Sequence, residues 1–297
     1  MNPVRVGLEI LKLARSIGAR TIFVVGTARD VGKTTTLRAV YEAACGAGMR
    51  AGLASVGRDA PQQSRAPAKP RLWLRPQTVF ATARALLPSF PAVEILQLSS
   101  LQSAAGALLY ARVEACGFYE LAGPPTASGV REVVHELLAR SEIGIVDGAV
   151  DRVAALAGSE GAIVVATGAA TAATEDEAVA EIAALVARLG IPVFESQAEA
   201  IHVDGALTAA DAAAFVARGE TRQIVVRDPT QVAMSGRSAQ EAFAKLRIRC
   251  RRPLRVVAAT VASIGLERNF EPVQFANAVA RATKLPTFDV YRSAQAA

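Results

Sequence analysis

Short β-branched, apolar runs alternate along this chain with longer stretches in which apolar residues recur every three or four positions. The short runs predict strands at 21–25, 51–56, 93–98, 119–121, 144–146, 162–166, 192–195, 223–226, 255–259 and 287–290. The longer ones predict helices at 33–47, 130–140, 175–189 and 273–283, with an amphipathic helix at the N-terminus carrying Glu9, Lys12 and Arg15 on its polar side. Strand–helix alternation of this kind builds α/β folds around a doubly wound, mostly parallel sheet. Two segments break the rhythm. Residues 57–76, "GRDAPQQSRAPAKPRLWLRP", are rich in proline and basic, and residues 204–220, "DGALTAADAAAFVARGE", form a helix after an extended stretch. A soft boundary near Asp204 divides the chain into a larger domain, 1–203, and a smaller α/β C-terminal region, 204–297. No internal repeat is visible.

Composition narrows this picture. At 297 residues the chain can bury ~75% of its unfolded surface. Hydrophobic residues make up 52% but aromatics only 5%, which predicts a core built from Ala, Val, Leu and Ile. The longest uncharged run, 95–111, is too short for a membrane span and is interrupted by glutamines and serines. With no signal-peptide pattern at the N-terminus and three widely separated cysteines (Cys45, Cys116, Cys250) sharing no metal spacing, the expected setting is a reducing cytoplasm. The net charge of +6 comes from 33 basic against 27 acidic residues, too mild an imbalance to make nucleic acid the expected partner.

The stretch "TIFVVGTARDVGKTTT" (21–36) carries the clearest chemistry. A strand leads to Gly26, and a helix starts after Gly32: strand, glycine-bounded loop, helix, the setting of a phosphate-binding loop. Successive backbone N–H groups and the positive end of the helix would face phosphate oxygens. Gly26, Thr27, Asp30, Val31, Gly32, Lys33, Thr34 and Thr35 would form the cradle for ATP. Lys33 would reach the β- and γ-phosphates and the Thr34 hydroxyl would join a Mg2+ shell. Spacing departs from the commonest pattern by one position, since Thr27 stands where its first glycine would be.

Such a loop needs an acid at the end of a neighbouring strand, to hold the metal or order its water. Three are at hand. Glu120 lies in "GFYELAGPP", Asp147 ends the apolar run of "IGIVDGAVDR", and Asp59 follows the second strand in "ASVGRDA". Glu120 and Asp59 are candidate metal ligands beside Thr34, and Glu120, Asp147 and Lys33 are candidate catalytic groups. All three acids are expected on the carboxyl edge of one sheet.

Weaker signals surround this core. Thr167-Gly168-Ala169 opens another turn on the same edge. His135 and His202 have no nucleophile or acid at motif spacing, so neither is expected to act in catalysis. The run "KLRIRCRRPLR" places Lys245, Arg247, Arg249 and Arg251 on one face of an extended segment, read as a solvated edge strand or a docking face for an acidic partner.

"GTARDVGKT" resembles the loop of dethiobiotin synthetases and their relatives, and "ELAG" resembles the Glu-x-Ala-Gly element that supplies a metal carboxylate there. Taken together, "GLASVGRDA", "KPRLWLRPQTVFATARALL", "GFYELAGP", "IVDGAVDR", "VVATGAAT", "VRDPTQV" and "LPTFDVY" occur in an order similar to that of the KamB subunits of lysine aminomutase reactivases. This resemblance implies a P-loop ATPase using ATP and Mg2+. It would work with a MutS-like ATPase subunit to restore an adenosylcobalamin-dependent aminomutase by releasing damaged cofactor. Three classes stay open in the sequence: this reactivating chaperone, an ATP-dependent small-molecule synthetase for which Lys69 is the one available substrate lysine, and a nucleotide sensor that binds without turnover. Self-association as a homodimer is compatible with each. The basic loop 57–76 is expected to couple nucleotide state to partner docking, with Arg58 or Arg65 nearest the phosphates.

Overall fold

The computed structural model describes residues 3–57, 71–88, 92–148, 156, 160–170, 172–234, 236–265 and 267–291. Asp59, Arg58, Arg65 and Lys69 lie outside the described residues. Helices are α1 (Pro3–Ser16), α2 (Lys33–Gly46), α3 (Ala127–Leu138), α4 (Glu175–Leu189), α5 (Ala209–Ala217), α6 (Gly236–Lys245) and α7 (Pro272–Thr283). Strands are β1 (Thr21–Gly26), β2 (Ala51–Ser55), β3 (Leu72–Leu74), β4 (Val79–Ala83), β5 (Val93–Ser103), β6 (Gly106–Val113), β7 (Gly117–Tyr119), β8 (Ile143–Asp147) and β9 (Ala162–Gly168). They continue with β10 (Ala200–His202), β11 (Leu207–Thr208), β12 (Gln223–Val226), β13 (Val232–Ala233), β14 (Arg247–Cys250), β15 (Arg255–Ala262) and β16 (Thr287–Asp289).

A nine-stranded sheet in the order β16-β15-β9-β1-β8-β2-β4-β6-β5 organises the molecule. The run from β16 to β4 is parallel, and the β5–β6 hairpin closes one side with antiparallel pairing. The central strands β1, β2 and β9 are buried at every position, as a parallel sheet covered on both faces requires. Alternate residues supply the two faces. Ile22, Val24, Leu53, Ile145 and Val164 pack with Ile10 of α1 and Leu37 and Val40 of α2. Phe23, Val25, Val146, Ile163 and Val165 pack with Ile182 of α4 and Phe275 and Val279 of α7. Val133 and Leu137 of α3 cover Ala54, Val79 and Ala81 on that second face. The result is an α/β, mostly parallel sheet wound on both faces, as the alternation predicts.

Several particulars differ from expectation. Tyr41, Tyr110, Tyr119, Phe23, Phe80 and Phe275 are among the largest fully buried side chains, so aromatic residues do fill the core despite their scarcity. Segment 192–195 forms no strand; only Val193 bridges, to Cys250. The uncharged run 95–111 becomes the two arms of the β5–β6 hairpin, and β4 and β6 had no counterpart in the periodicity reading. Helix α3 begins at Ala127 because the Thr126 side chain caps it, accepting from Gly129 N at 3.2 Å. The region 204–297 does not stay together. Strands β10, β12 and β14 form a separate parallel sheet with its own core, including Ile224, Val226, Ile248 and Phe215, whereas β15 and β16 return to the main sheet.

The arginine run of β14 is not a bare edge. Arg247 and Arg249 both face Glu195, at 3.6 and 3.9 Å, and segment 192–194 lies along the strand through Cys250 N to Pro192 O and Phe194 N to Cys250 O, each 2.9 Å. Among the described residues no helix is long and apolar enough to cross a membrane.

Candidate functional site

The loop leaving β1 stands at the carboxyl edge of the sheet, between β9 and β8. Its apex is built from two residues with positive φ, Asp30 at 54° and Gly32 at 86°. Glycine is needed at 32 for a second reason: a Cβ there would lie 3.0 Å from Ala262 Cβ and 3.2 Å from Val290 Cγ2. Helix α2 starts immediately after, at Lys33, with no side chain capping its N-terminus.

Lys33 folds back over this loop. Its aliphatic stem packs on Gly26, where an added Cβ would meet Lys33 Cγ and Cδ at 2.9 Å, and its Nζ donates to the Ala28 carbonyl. Thr34 and Thr35 are half-buried on the first turn of α2. The Thr35 hydroxyl makes a long 3.4 Å contact with the Tyr291 hydroxyl. On the other flank Thr27 N donates to Ala166 O at 2.9 Å and the Thr27 hydroxyl donates to that of Thr167 at 3.2 Å. The Thr167-Gly168-Ala169 turn thus lines the loop directly.

Asp147 ends β8, in register with Val24 of β1 and Ser55 of β2, and its carbonyl accepts from Val56 N at 2.7 Å. Glu120 arrives differently. It follows β7, which among the described residues pairs with β3 in a two-stranded antiparallel ribbon outside the main sheet. Residues 120–124 nevertheless run along the carboxyl ends of β4 and β2. The Thr82 hydroxyl donates to Glu120 O at 2.7 Å, Ala122 N donates to Ala81 O at 3.1 Å, and Gly57 N donates to Pro124 O at 3.2 Å. Gly123 permits this pass, since a Cβ on it would fall 1.5 Å from the Ser55 carbonyl oxygen. That explains the glycine of the "ELAG" element in steric terms. Glu120 Oε1 is shielded from solvent.

The structure therefore brings the Asp147 and Glu120 backbones to the same edge, on either side of the end of β2, while Asp59 lies outside the described residues. What the sequence reading missed is the C-terminal wall of the site. Ala262 and Val290 abut Gly32, Tyr291 reaches Thr35, and the Asp289 carboxylate accepts from Tyr291 N at 2.7 Å. In the sequence, "LPTFDVY" predicts a strand at 287–290 but names no neighbour for it. Among the described residues no three His, Cys, Asp or Glu side chains gather as a metal cage. No protein-family model, curated protein or solved structure matches the chain.

Proposed function

We propose that residues 26–35 bind Mg·ATP in the manner of a P-loop NTPase, and that the chain is the ATP-binding and hydrolysing subunit of a reactivating chaperone for an adenosylcobalamin-dependent aminomutase. The observation that carries the nucleotide reading is Lys33. Its ammonium is folded over a glycine-bounded loop at the head of an uncapped helix, held by the Ala28 carbonyl, an acceptor that phosphate oxygens would outbid by charge. Mg2+, when bound, would supply charge neutralisation at the phosphates. Thr34 would contribute its hydroxyl, and Glu120 or Asp147 would orient the attacking water from the ends of neighbouring segments.

The chaperone assignment rests on the order of strings shared with the KamB subunits. It gains support from one feature of the surface. Two of those strings, "KPRLWLRP" and "GFYELAGP", pair as β3 and β7 and place Trp73 opposite Phe118. Both rings are exposed, 43% and 54%, with centroids 5.0 Å apart in an edge-to-face contact. Exposed paired aromatics suit anchoring in a partner protein better than binding a small substrate. A MutS-like ATPase subunit is the proposed occupant.

Calorimetry with Mg·ATP tests the first claim. Lys33→Ala removes a charged hydrogen bond of ~1.5–3 kcal/mol, so affinity should fall roughly 10- to 150-fold; unchanged affinity refutes the nucleotide reading. Gel filtration with the MutS-like protein and the aminomutase tests the second. Trp73→Ala combined with Phe118→Ala should abolish the complex while ATP affinity is kept, and absence of any complex with the unaltered chain overturns the chaperone assignment.

A further inference from the structure

The second, smaller sheet is also parallel, in the order β10-β12-β14, so the residues following its three strands collect on one edge. His202 ends β10, Arg227 and Asp228 follow β12, and Arg251 and Arg252 follow β14. The arginine-bearing segments are held side by side: Arg251 N donates to Val226 O at 3.1 Å and Arg252 N to Arg227 O at 2.9 Å. The Arg251 side chain then crosses the end of the middle strand, placing Nη2 3.2 Å from His202 Nδ1 on the far strand. The Phe194 ring stands edge-on to His202, with centroids 5.7 Å apart.

The buried carboxylate on this edge is already committed. Asp228 is buried, and its carboxylate accepts from Thr230 N at 3.0 Å, from the Thr230 hydroxyl, and from Arg227 Nε at 3.2 Å. Asp204 is exposed and receives Gln231 Nε2 through its backbone carbonyl at 3.2 Å. Among the described residues no carboxylate lies within ion-pair distance of Arg251 or Arg252. The opposite edge is matched instead, with Arg218 and Arg222 on Glu220 and Arg247 and Arg249 on Glu195.

We infer that the carboxyl edge of the β10-β12-β14 sheet binds a phosphate-bearing small molecule, gripped by the guanidinium groups of Arg251 and Arg252, with Arg227 at the margin. Ligands of parallel α/β sheets lie outside the carboxyl ends of the strands, which is where these groups stand. Guanidinium forks carried by adjacent residues suit a group with several oxygens and at least two negative charges, and a single carboxylate satisfies only one of them. The site is independent of the phosphate loop, being on another sheet with another core.

The test is a calorimetric titration of the full chain with pyrophosphate, and with inorganic phosphate as competitor, at low ionic strength. Lys33→Ala is the background, so that the phosphate loop does not contribute. Pyrophosphate binding should persist in Lys33→Ala and weaken at least about 10-fold when Arg251→Ala is added, and further with Arg252→Ala. Arg251→Lys, which keeps the charge but loses the fork, should fall between. Both arginines are exposed, so circular dichroism should report an unchanged fold; if Arg251→Ala unfolds the small unit, Arg252→Ala alone carries the comparison. Equal affinity with and without the arginines overturns the inference, as does absence of pyrophosphate binding to the Lys33→Ala protein. Should ATP binding prove insensitive to Lys33, the same arginine comparison in the unaltered chain still decides this site.

Discussion

Replacing Gly123 with alanine probes the joint that carries Glu120 to the sheet edge. The new Cβ would sit 1.5 Å from Ser55 O and 2.7 Å from Ser55 C, where ordinary contact starts at 3.4 Å. Either the 120–124 segment or the end of β2 must therefore retreat by 3.4 − 1.5 = 1.9 Å. A movement of that size breaks the Ala122 N–Ala81 O and Gly57 N–Pro124 O hydrogen bonds, 3.1 and 3.2 Å long. Each contributes about 0.5–1.5 kcal/mol net, and overpacking in a buried place adds roughly 1–3 kcal/mol. The sum, ~2–6 kcal/mol, is a large part of the stability of a typical domain. Urea unfolding followed by circular dichroism should show the midpoint falling at constant slope. In whatever fraction stays folded, Glu120 is displaced while residues 26–35 are not, so ATP hydrolysis should drop more than ATP affinity. A Gly123→Ala protein within about 0.5 kcal/mol of the parent, with parental turnover, would refute both the steric account and the role given to Glu120.

Glu120→Gln keeps the shape and removes the charge; turnover should fall by 10-fold or more with ATP affinity changed by less than about threefold, and parental turnover would pass the role to Asp147. Gly46→Ala, at the end of α2 where a Cβ meets nothing within 4 Å, should stabilise by about 0.5–1 kcal/mol in the same urea assay; destabilisation would contradict the open space. Burial pushes the Cys250 thiol from 9 up to about 11. The unfolded chain then loses this proton first, so the contribution is complete below pH 9 and is lost as pH rises to about 11, at up to ~1.4 kcal/mol per pH unit; Cys250→Ala should flatten that part of the stability curve. A disulfide reagent at neutral pH should modify exposed Cys116 first and leave buried Cys250 untouched until the protein unfolds.

What the sequence alone determined is local or repetitive in its physics. Strand β1, the loop through Gly32 and helix α2 are contiguous, so a run of β-branched residues, two glycines and a lysine were enough to place them. Asp147 was legible for the same reason, as the last residue of an apolar run that could only be a buried strand. Helix α4 runs over the expected residues because its Thr174 cap and three acids in the first turn mark its start. Tertiary structure decided the rest, because it depends on which strands lie side by side. Sheet order brought residues 262 and 290, more than two hundred positions away, against Gly32. It also sent β15 and β16 past the small sheet and back to the main one, which no composition shift announced. Glu120 reached the edge from a ribbon outside that sheet, through a glycine whose need arises only when Ser55 is packed beside it. Residues 251 and 202 met across a middle strand for the same reason, while Arg247 and Arg249 of the same run met Glu195 instead. Periodicity reports which face of an element is buried; only packing reports what that face, or its end, is buried against.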